Sequence, residues 1–152
     1  MSQPDFRTAL LQDLAGLATD EGDLGETVEM ARGLADRIRP YAAPGFVCLM
    51  APLPPTPPVS FPGVDGIVRA WRDFGDEFRS VHAQLEQVVE AENALILLVS
   101  QTVVTEHGGV EMTQPGALVV AIEGEHVSNV QFHLDQEEAL RAGGAPAGPG
   151  PQ

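Results

Sequence analysis

Three segments in the first half of the chain repeat their apolar residues at the spacing of an α-helix. In the first, Asp5 to Ala18, leucines and a phenylalanine recur every three or four residues, and a second segment, about Glu26 to Arg39, has a similar stripe. Such stripes predict amphipathic helices. Pro40 ends the second helix, because the residue before a proline is pushed out of the α region. A third helix is predicted over about Val64 to Arg79, with a short strand, Phe46 to Met50, before it.

After the third helix the pattern changes: apolar residues alternate with polar ones from Val81 to Leu85, which is the period of a β-strand, whereas Ala94 to Val99 and Ala117 to Ile122 are continuous apolar runs. Turn residues separate the runs from one another. A short helix, Asp135 to Ala142, follows the last run and ends at Gly143-Gly144. The predicted strands are Val81 to Leu85, Ala94 to Glu106, Val110 to Gln114, Ala117 to Ile122 and His126 to Leu134. Pro115-Gly116 interrupts the third and fourth of these runs, as a bulge or sheet-edge bend would.

The connecting segments differ in composition from these elements. Thr19 to Gly25 is polar and glycine-rich and is predicted to be a loop. Five prolines between Pro52 and Pro58 predict an extended connector with few amide donors. Residues 145–152 are rich in proline and glycine and are expected to form a flexible tail, which leaves residues 1–144 as a single domain.

The order of elements, ααβα followed by ββββ, predicts the α+β fold class. Antiparallel strands joined by short turns need one covered face, and three preceding helices can supply it. A strongly curled sheet with helices across its open side forms a cone whose mouth can hold a ligand. We therefore expect a cone-shaped, mostly antiparallel sheet covered by three N-terminal helices.

Charge restricts the partners of this chain. Of its 152 residues, 22 are acidic and eight are basic, the formal net charge is −14, and every basic residue is an arginine. A surface this acidic repels phosphate backbones and anionic lipids, so neither nucleic acid nor a membrane is expected as a partner. Cys48 is the single cysteine, no signal-peptide pattern is present, and the run Ala94 to Val99 is too short to span a bilayer. A cytoplasmic location is expected.

Two local patterns resemble those of a known family. Phe61 to Ile67 leads into Trp71 to Phe74, and Glu123 to Val127 is followed by Asp135. Together with the order of elements, they resemble the SnoaL-like group of the nuclear-transport-factor-2-like (NTF2-like) superfamily, over roughly Asp5 to Gly143. The resemblance implies a cystatin-like, NTF2-like roll. It implies no single activity, because the superfamily contains polyketide cyclases, ketosteroid isomerases, epoxide hydrolases, dehydratases and binding proteins.

Asp135 is the first candidate for chemistry. By resemblance it matches the aspartate that acts as general acid/base in SnoaL-type cyclases, and a carboxylate in the wall of an apolar cavity would have a raised pKa. Its place before a helix, with Glu138 three residues later, is equally typical of an N-cap and capping box. One residue can serve both purposes, and both interpretations stay open.

His133 is the candidate partner of Asp135, because alternate residues of a strand share a face. Gln131 belongs to this polar face, whereas Val130 and Phe132 belong to the other. If the polar face points into the cone, His133 and Asp135 form an acid/base or orienting pair. If the apolar face points inward, the polar set is solvated or lies at a dimer contact.

Further residues are candidates for contact with a ligand. The predicted ligand-binding residues are Tyr41, Trp71, Phe74, His82, Gln84, Gln101 and Gln131. The aromatic members are also typical of core residues, and the polar ones of a solvated or subunit-facing strand surface. Asp65, Arg69 and Asp73 are spaced as surface ion pairs. The four histidines lack metal-ligand spacing, so no metal is expected. Cys48 has no evident base, and the sequence has no glycine loop of the kind that cradles phosphates.

Together with the resemblance, these observations predict a SnoaL-like pocket protein for an apolar small molecule, which is polycyclic or carbonyl-bearing. If the protein is an enzyme, the resemblance implies an isomerase- or cyclase-type reaction by proton transfer without a cofactor, with Asp135 as acid/base and His133 as its partner. The alternatives are a non-catalytic binding or carrier module and a structural dimer whose pocket is filled by its own side chains. The superfamily commonly dimerises through the outer face of its sheet, which implies a homodimer.

Overall fold

The computed structural model describes residues 3–17, 23–51, 59–75, 78–106 and 108–142. These residues form four α-helices, one 3-10 turn and seven β-strands. The helices are α1 (Gln3–Ala15), α2 (Thr27–Ile38), α3 (Gly66–Gly75) and α4 (Gln136–Ala142), and the 3-10 turn is Arg39–Tyr41. The strands are β1 (Asp23–Glu26), β2 (Ala42–Ala51), β3 (Val59–Pro62), β4 (Phe78–Ala91), β5 (Ala94–Thr105), β6 (Glu111–Glu123) and β7 (His126–His133).

The seven strands belong to one sheet in the order β1-β4-β5-β6-β7-β2-β3. Neighbouring strands are antiparallel except β2 and β7, which run parallel, with Cys48 opposite Val130. The sheet is curled, and α1, α2 and α3 pack on one face of it. The predicted α+β cone is therefore confirmed. The face under these three helices is called the inner face below, and the opposite face the outer face.

The inner face carries the main hydrophobic core. Leu95, Leu97 and Val99 alternate along β5 onto this face, and all three are buried. Trp71 of α3 packs on Phe132 of β7, with ring centroids 4.3 Å apart. Burying a large apolar side chain contributes about 1.5–3 kcal/mol, so contacts of this kind hold the helices on the sheet.

The outer face carries a smaller core under α4. Ala139 of this helix is fully buried and belongs to one cluster with Ile96 of β5 and Val119 of β6. Ile96 and Val119 are paired across the two strands. The position of α4 is therefore fixed on the side of the sheet away from the other three helices.

Two short strands lie where the pattern predicts none. β1 overlaps the end of the predicted loop Thr19 to Gly25 and pairs antiparallel with β4. β3 pairs antiparallel with β2. Each has four residues, too few for a two-residue period to stand out. Their structure depends on the strand beside them. The predicted connector, Pro52 to Pro58, and the predicted tail, 145–152, lie outside the described residues.

The predicted interruption at Pro115-Gly116 is wrong. β6 continues through both residues without a shift in register against β5, and Gly116 lies opposite Val99. β7 pairs with β6 only from Ala117 onward, so β6 is an edge strand at Pro115, where a missing amide donor is tolerated. The Gln136 side-chain Nε2 donates to the carbonyls of Val99 and Gly116, at 3.1 Å each, and ties the start of α4 to this part of the sheet.

Candidate functional site

Gln101 is a polar side chain buried in the core of the cone. It follows Leu97 and Val99 in the alternation of β5 and is fully buried. In the described ranges the other buried polar or charged side chain is that of His133. Neither Oε1 nor Nε2 of Gln101 has a hydrogen-bond partner. Leaving a buried polar atom unsatisfied costs about 1–3 kcal/mol, so this amide is a candidate for contact with a ligand.

The amide of Gln101 lies beside an aromatic pair. A Cβ atom built on Gly116 would be 3.4 Å from Gln101 Oε1 and 3.3 Å from Phe132 Cε1, so the glycine allows the amide and the ring to approach each other. Phe132 in turn packs on Trp71. A few buried polar groups, here the Gln101 amide and the indole nitrogen of Trp71, among apolar walls are typical of a site for a small organic molecule.

Of the predicted aromatic ligand-binding residues, Trp71 lies in the main core, whereas Tyr41 lies at the 3-10 turn. Trp71 is 1% exposed and lies in the core under the helices, near Gln101. Tyr41 is half-buried at the end of the 3-10 turn, with its ring against that of Phe6 at 5.5 Å. Its hydroxyl donates to Asp13 Oδ2 at 2.7 Å, and this bond, with burial and the charge of Asp13, raises the pKa of Tyr41. Tyr41 thus ties α1 to the 3-10 turn.

Three further predicted ligand-binding residues, His82, Gln84 and Gln131, do not join Gln101. His82 and Gln84 alternate with the buried inner-face residue Ala83, so they lie on the outer face, where both are exposed. Gln131 lies on the outer face of β7 for the same reason. The side chain of Phe74 lies outside the described part of the chain.

His133 lies at the end of a row of polar side chains on the outer face of β7. Its Nε2 donates to Gln131 Oε1 at 2.9 Å, because an amide oxygen can only accept. Gln131 Nε2 donates to Asn129 Oδ1 at 3.0 Å. Val130 and Phe132 point the opposite way, into the main core. Of the two orientations considered for β7, the structure has the one with the apolar face inward.

Burial lowers the pKa of His133, an effect that the charges of Glu138 and Asp135 partly oppose. The unfolded chain therefore binds a proton at this site more readily than the folded protein does. The stability that follows is present above the ordinary histidine pKa of about 6.5 and is lost as the pH falls below it. We expect the melting temperature to fall less on acidification in His133→Gln than in the wild type. Equal falls in a calorimetric pH series would contradict this.

Asp135 caps α4. Its Oδ1 accepts hydrogen bonds from the backbone amides of Glu137 at 2.9 Å and Glu138 at 3.3 Å. This arrangement satisfies two of the amide groups that a helix leaves free at its start. The Glu138 carboxylate pairs with Arg141 at 3.0 Å and so takes a partner further along the helix. The N-cap interpretation of Asp135 is confirmed.

We expect Asp135→Ala to lower the free energy of unfolding by about 1 kcal/mol, since it removes the cap. For a domain of this size the melting temperature should fall by about 2–4 °C. Asp135→Asn retains an oxygen that accepts the same bonds and is the matched control. Equal melting temperatures for the alanine variant and the wild type would show that the cap contributes nothing.

The acid/base hypothesis placed His133 and Asp135 inside the cone, and neither side chain is there. Phe132 occupies the inner face of β7, and His133 and Asp135 follow on the side where α4 packs. The reason is the alternation of β7, which allows either the aromatic or the polar set to face the helices, but not both. A catalytic role for the two residues stays a prediction, without a place in the cone.

Cys48 has no reactive surroundings. The thiol is fully buried on β2, and burial raises its pKa to about 12. A thiol with such a pKa is not a nucleophile at neutral pH. Within the described ranges, no group of three or more histidine, cysteine, aspartate or glutamate side chains is arranged to hold a metal ion. No helix of these ranges is long and apolar enough to cross a bilayer.

Solved structures share this fold at low sequence identity. A protein named as a SnoaL-like polyketide cyclase from Jannaschia sp. CCS1 is 16% identical, with a TM-score of 0.58 over 92% of this chain and 94% of that one. A protein with a ketosteroid isomerase-like fold from Catenulispora acidiphila, in complex with trimethylamine, is 14% identical, with a TM-score of 0.53 over 99% and 100%. TerC, co-crystallized with polyporic acid, is 11% identical, with a TM-score of 0.56 over 86% and 92%.

The likeness to these structures confirms the NTF2-like fold to which the sequence resemblance pointed. No protein-family model matches the chain, and no curated protein matches it in sequence. Identities of 11–16% carry the fold and not the activity. The function has to be argued from the residues of this chain.

Phe132 and Gly116 were missing from the predicted site. Alternation correctly predicts Phe132 on the apolar face of β7, but its spacing in the sequence does not place it beside Gln101. The dipeptide Pro115-Gly116 predicts an interruption of the strand and gives Gly116 no place in a site. Its position opposite Val99, next to Gln101 on the inner face of the strand pair, was available only from the register of β5 and β6.

Proposed function

We propose that this protein binds a neutral, largely apolar small molecule in the cone, with Gln101 as the group that fixes its orientation. The observation that carries the proposal is the unsatisfied, fully buried amide of Gln101. Buried polar groups are nearly always hydrogen-bonded, so one that is not calls for an explanation, such as a functional role. The complexes of structurally similar proteins with trimethylamine and polyporic acid support a small organic ligand.

The chemistry of the amide defines the ligand class. Nε2 donates and Oε1 accepts, so the best ligand presents a carbonyl oxygen, with or without an adjacent N–H or O–H group. The surrounding walls are apolar, and Phe132 and Trp71 offer flat aromatic surfaces. A charged group would lose its hydration there without a counter-ion. A neutral cyclic ketone or amide fits these conditions.

Entry of the ligand requires movement. Both polar atoms of Gln101 are closed to solvent, so a ligand reaches them only when neighbouring side chains move aside. Trp71 is the only tryptophan and packs next to this region. Its fluorescence is therefore a direct reporter of binding.

Binding without catalysis is the better-supported form of the proposal. Buried groups that titrate near neutral pH are the usual acids and bases of proton-transfer enzymes. In the described core under the helices, the buried polar side chain is the amide of Gln101, which does not titrate. A carrier or sensor module requires only the hydrogen bonds and the apolar walls.

The test uses decalone, a bicyclic ketone, and decalin, the corresponding hydrocarbon, each titrated against the fluorescence of Trp71. We expect saturable binding of the ketone and a preference for it over the hydrocarbon of about tenfold, the equivalent of one buried hydrogen bond. Gln101→Met should abolish the preference. Gln84→Met, the same change at an exposed outer-face position, should leave it unchanged. Equal binding of both probes by the wild type would overturn the role of Gln101.

We further propose that the protein is a homodimer that associates through its outer face. Val47 and Leu49 of β2 lie beside Asn129 and Gln131 of β7, and all four side chains are half-buried on this face. A mixed apolar and amide surface is typical of subunit contacts. We expect a dimer mass by light scattering at micromolar concentration, and a monomer for Leu49→Arg. Val110→Arg, at an exposed turn, is the control; a monomeric wild type would refute the proposal.

A further inference from the structure

A groove between α2 and α3 contains half of the positive charge of the chain. Its volume is about 520 Å³, and Ala35 and Val68 are among its lining residues. The eight arginines of the chain are its only basic residues, and four of them line this groove: Arg32, Arg39, Arg69 and Arg72. In a chain of net charge −14 this is a local concentration of the opposite sign.

Both helices contribute arginines to this groove, and an ion pair joins the end of one helix to the start of the other. Arg39, just after α2, pairs with Asp65, just before α3, at 3.0 Å. Arg32 lies seven residues before Arg39, and Arg72 lies seven residues after Asp65, so each is about 10 Å along its helix from that pair. Arg32 of α2 and Arg69 and Arg72 of α3 all line the groove, so guanidinium groups reach it from both helices.

The donors of these arginines are only partly used. The ion pairs expected along α3, between Arg69 and its two neighbouring aspartates, are not formed. Arg69 Nη2 donates instead to the carbonyl of Pro62 at 2.7 Å, and Arg32 has one contact, with Glu29 at 2.9 Å. Arg72 has no hydrogen bond or ion pair within the described ranges. A guanidinium carries five N–H groups, so most of the donors in the groove are available.

We propose that this groove is a binding site for a compact phosphate-type dianion, held by Arg32, Arg69 and Arg72. Guanidinium groups bind phosphate oxygens through paired hydrogen bonds, and groups from two helices can approach a tetrahedral anion from different sides. Asp36 also lines the groove and weakens the site by repulsion. The lining residues have two negative and four positive charges, so the local charge favours an anion.

The acidity of the whole protein selects a small anion over a long one. At physiological ionic strength, charges separated by more than about 8 Å are largely screened. The arginines that line the groove therefore dominate the electrostatic energy of a phosphate group bound inside it. A nucleic acid or another extended polyanion would also cover the acidic surface around the groove and be repelled. This site is independent of the ligand proposed for the cone.

The test measures binding of inorganic phosphate, pyrophosphate and glycerol phosphate by NMR of the arginine side chains and backbone amides at low ionic strength. We expect saturable shifts centred on α2 and α3 that weaken as salt is added. Arg72→Gln should reduce affinity about five- to tenfold, and Asp36→Asn should increase it. Arg141→Gln, the same charge change on α4, should have no effect. The order of the three ligands distinguishes a free phosphate from a phosphate ester.

Two results would overturn the proposal. One is the absence of saturable shifts with all three ligands at millimolar concentration. The other is an equal loss of affinity in Arg72→Gln and Arg141→Gln, which would assign the effect to net charge. Circular dichroism of each variant separates loss of binding from loss of folding. Because Arg72 and Asp36 are exposed, both variants should fold.

Discussion

Replacing Phe132 by alanine will lower the free energy of unfolding by about 3–5 kcal/mol, the cost of emptying a packed aromatic site. Phe132 is 2% exposed, lies on the inner face of β7, and contacts the ring of Trp71 on α3. The change therefore removes buried area from the contact between the sheet and the helices that cover it. The free energy of unfolding of such domains is about 5–15 kcal/mol in total, so this substitution removes a large fraction of it.

Denaturant unfolding followed by Trp71 fluorescence and by circular dichroism measures this change. Phe132→Leu keeps the site apolar and close in volume, and should cost less than about 1.5 kcal/mol. The control is Gln131→Ala, at the adjacent position of β7, whose side chain points to the outer face. It should lower the free energy of unfolding by only about 1 kcal/mol. If Gln131→Ala proved as destabilising as Phe132→Ala, the assignment of the faces of β7 would be wrong.

Replacing Gln101 by methionine will have the opposite sign and raise the free energy of unfolding by about 1–3 kcal/mol. Methionine has nearly the same shape as glutamine and no unsatisfied donor or acceptor. Gln101 contributes two such atoms to a buried position, and the neighbouring residues Val99 and Phe132 are apolar. The gain in stability should accompany the loss of the preference for ketone over hydrocarbon.

The same unfolding experiment, without ligand, measures the effect of Gln101→Met. Gln84→Met again serves as the exposed control and should change stability by less than about 0.5 kcal/mol. A stability loss in Gln101→Met would mean that the amide is satisfied in the free protein. The argument that it is held for a ligand would then fail.

The elements with long periodic patterns could be predicted from the sequence. α2 has an apolar stripe over 12 residues, and β5, also of 12 residues, begins as a continuous apolar run and continues with β-branched residues up to a glycine turn. Length, β-branched residues and flanking turn signals assign such segments. β1 and β3 could not be predicted, because a strand of four residues has too little pattern of its own and is recognised only by its hydrogen bonds to a neighbouring strand. The parallel pairing of β2 with β7 also lies beyond local pattern, since it joins distant parts of the chain.

The candidate site was predictable only in part, for a related reason. Alternation divides β7 into the sets Val130–Phe132 and Gln131–His133, but it does not decide which set faces the helices. The packing of α3 and α4 on opposite faces of the sheet determines which set faces the main core. Gln101 was among the predicted ligand residues, yet its burial without a partner depends on the residues that surround it.

The parallel pair β2–β7 determines when the sheet can be completed during synthesis. Cys48 pairs with Val130, 82 residues further along the chain, so the β2–β3 hairpin has no other neighbour in the sheet until nearly the whole chain has been made. Contacts between such distant residues form late and slow the folding rate. We expect nascent chains that end before β7 to expose the apolar side of the β2–β3 hairpin, including Phe46, and to need a chaperone until release from the ribosome.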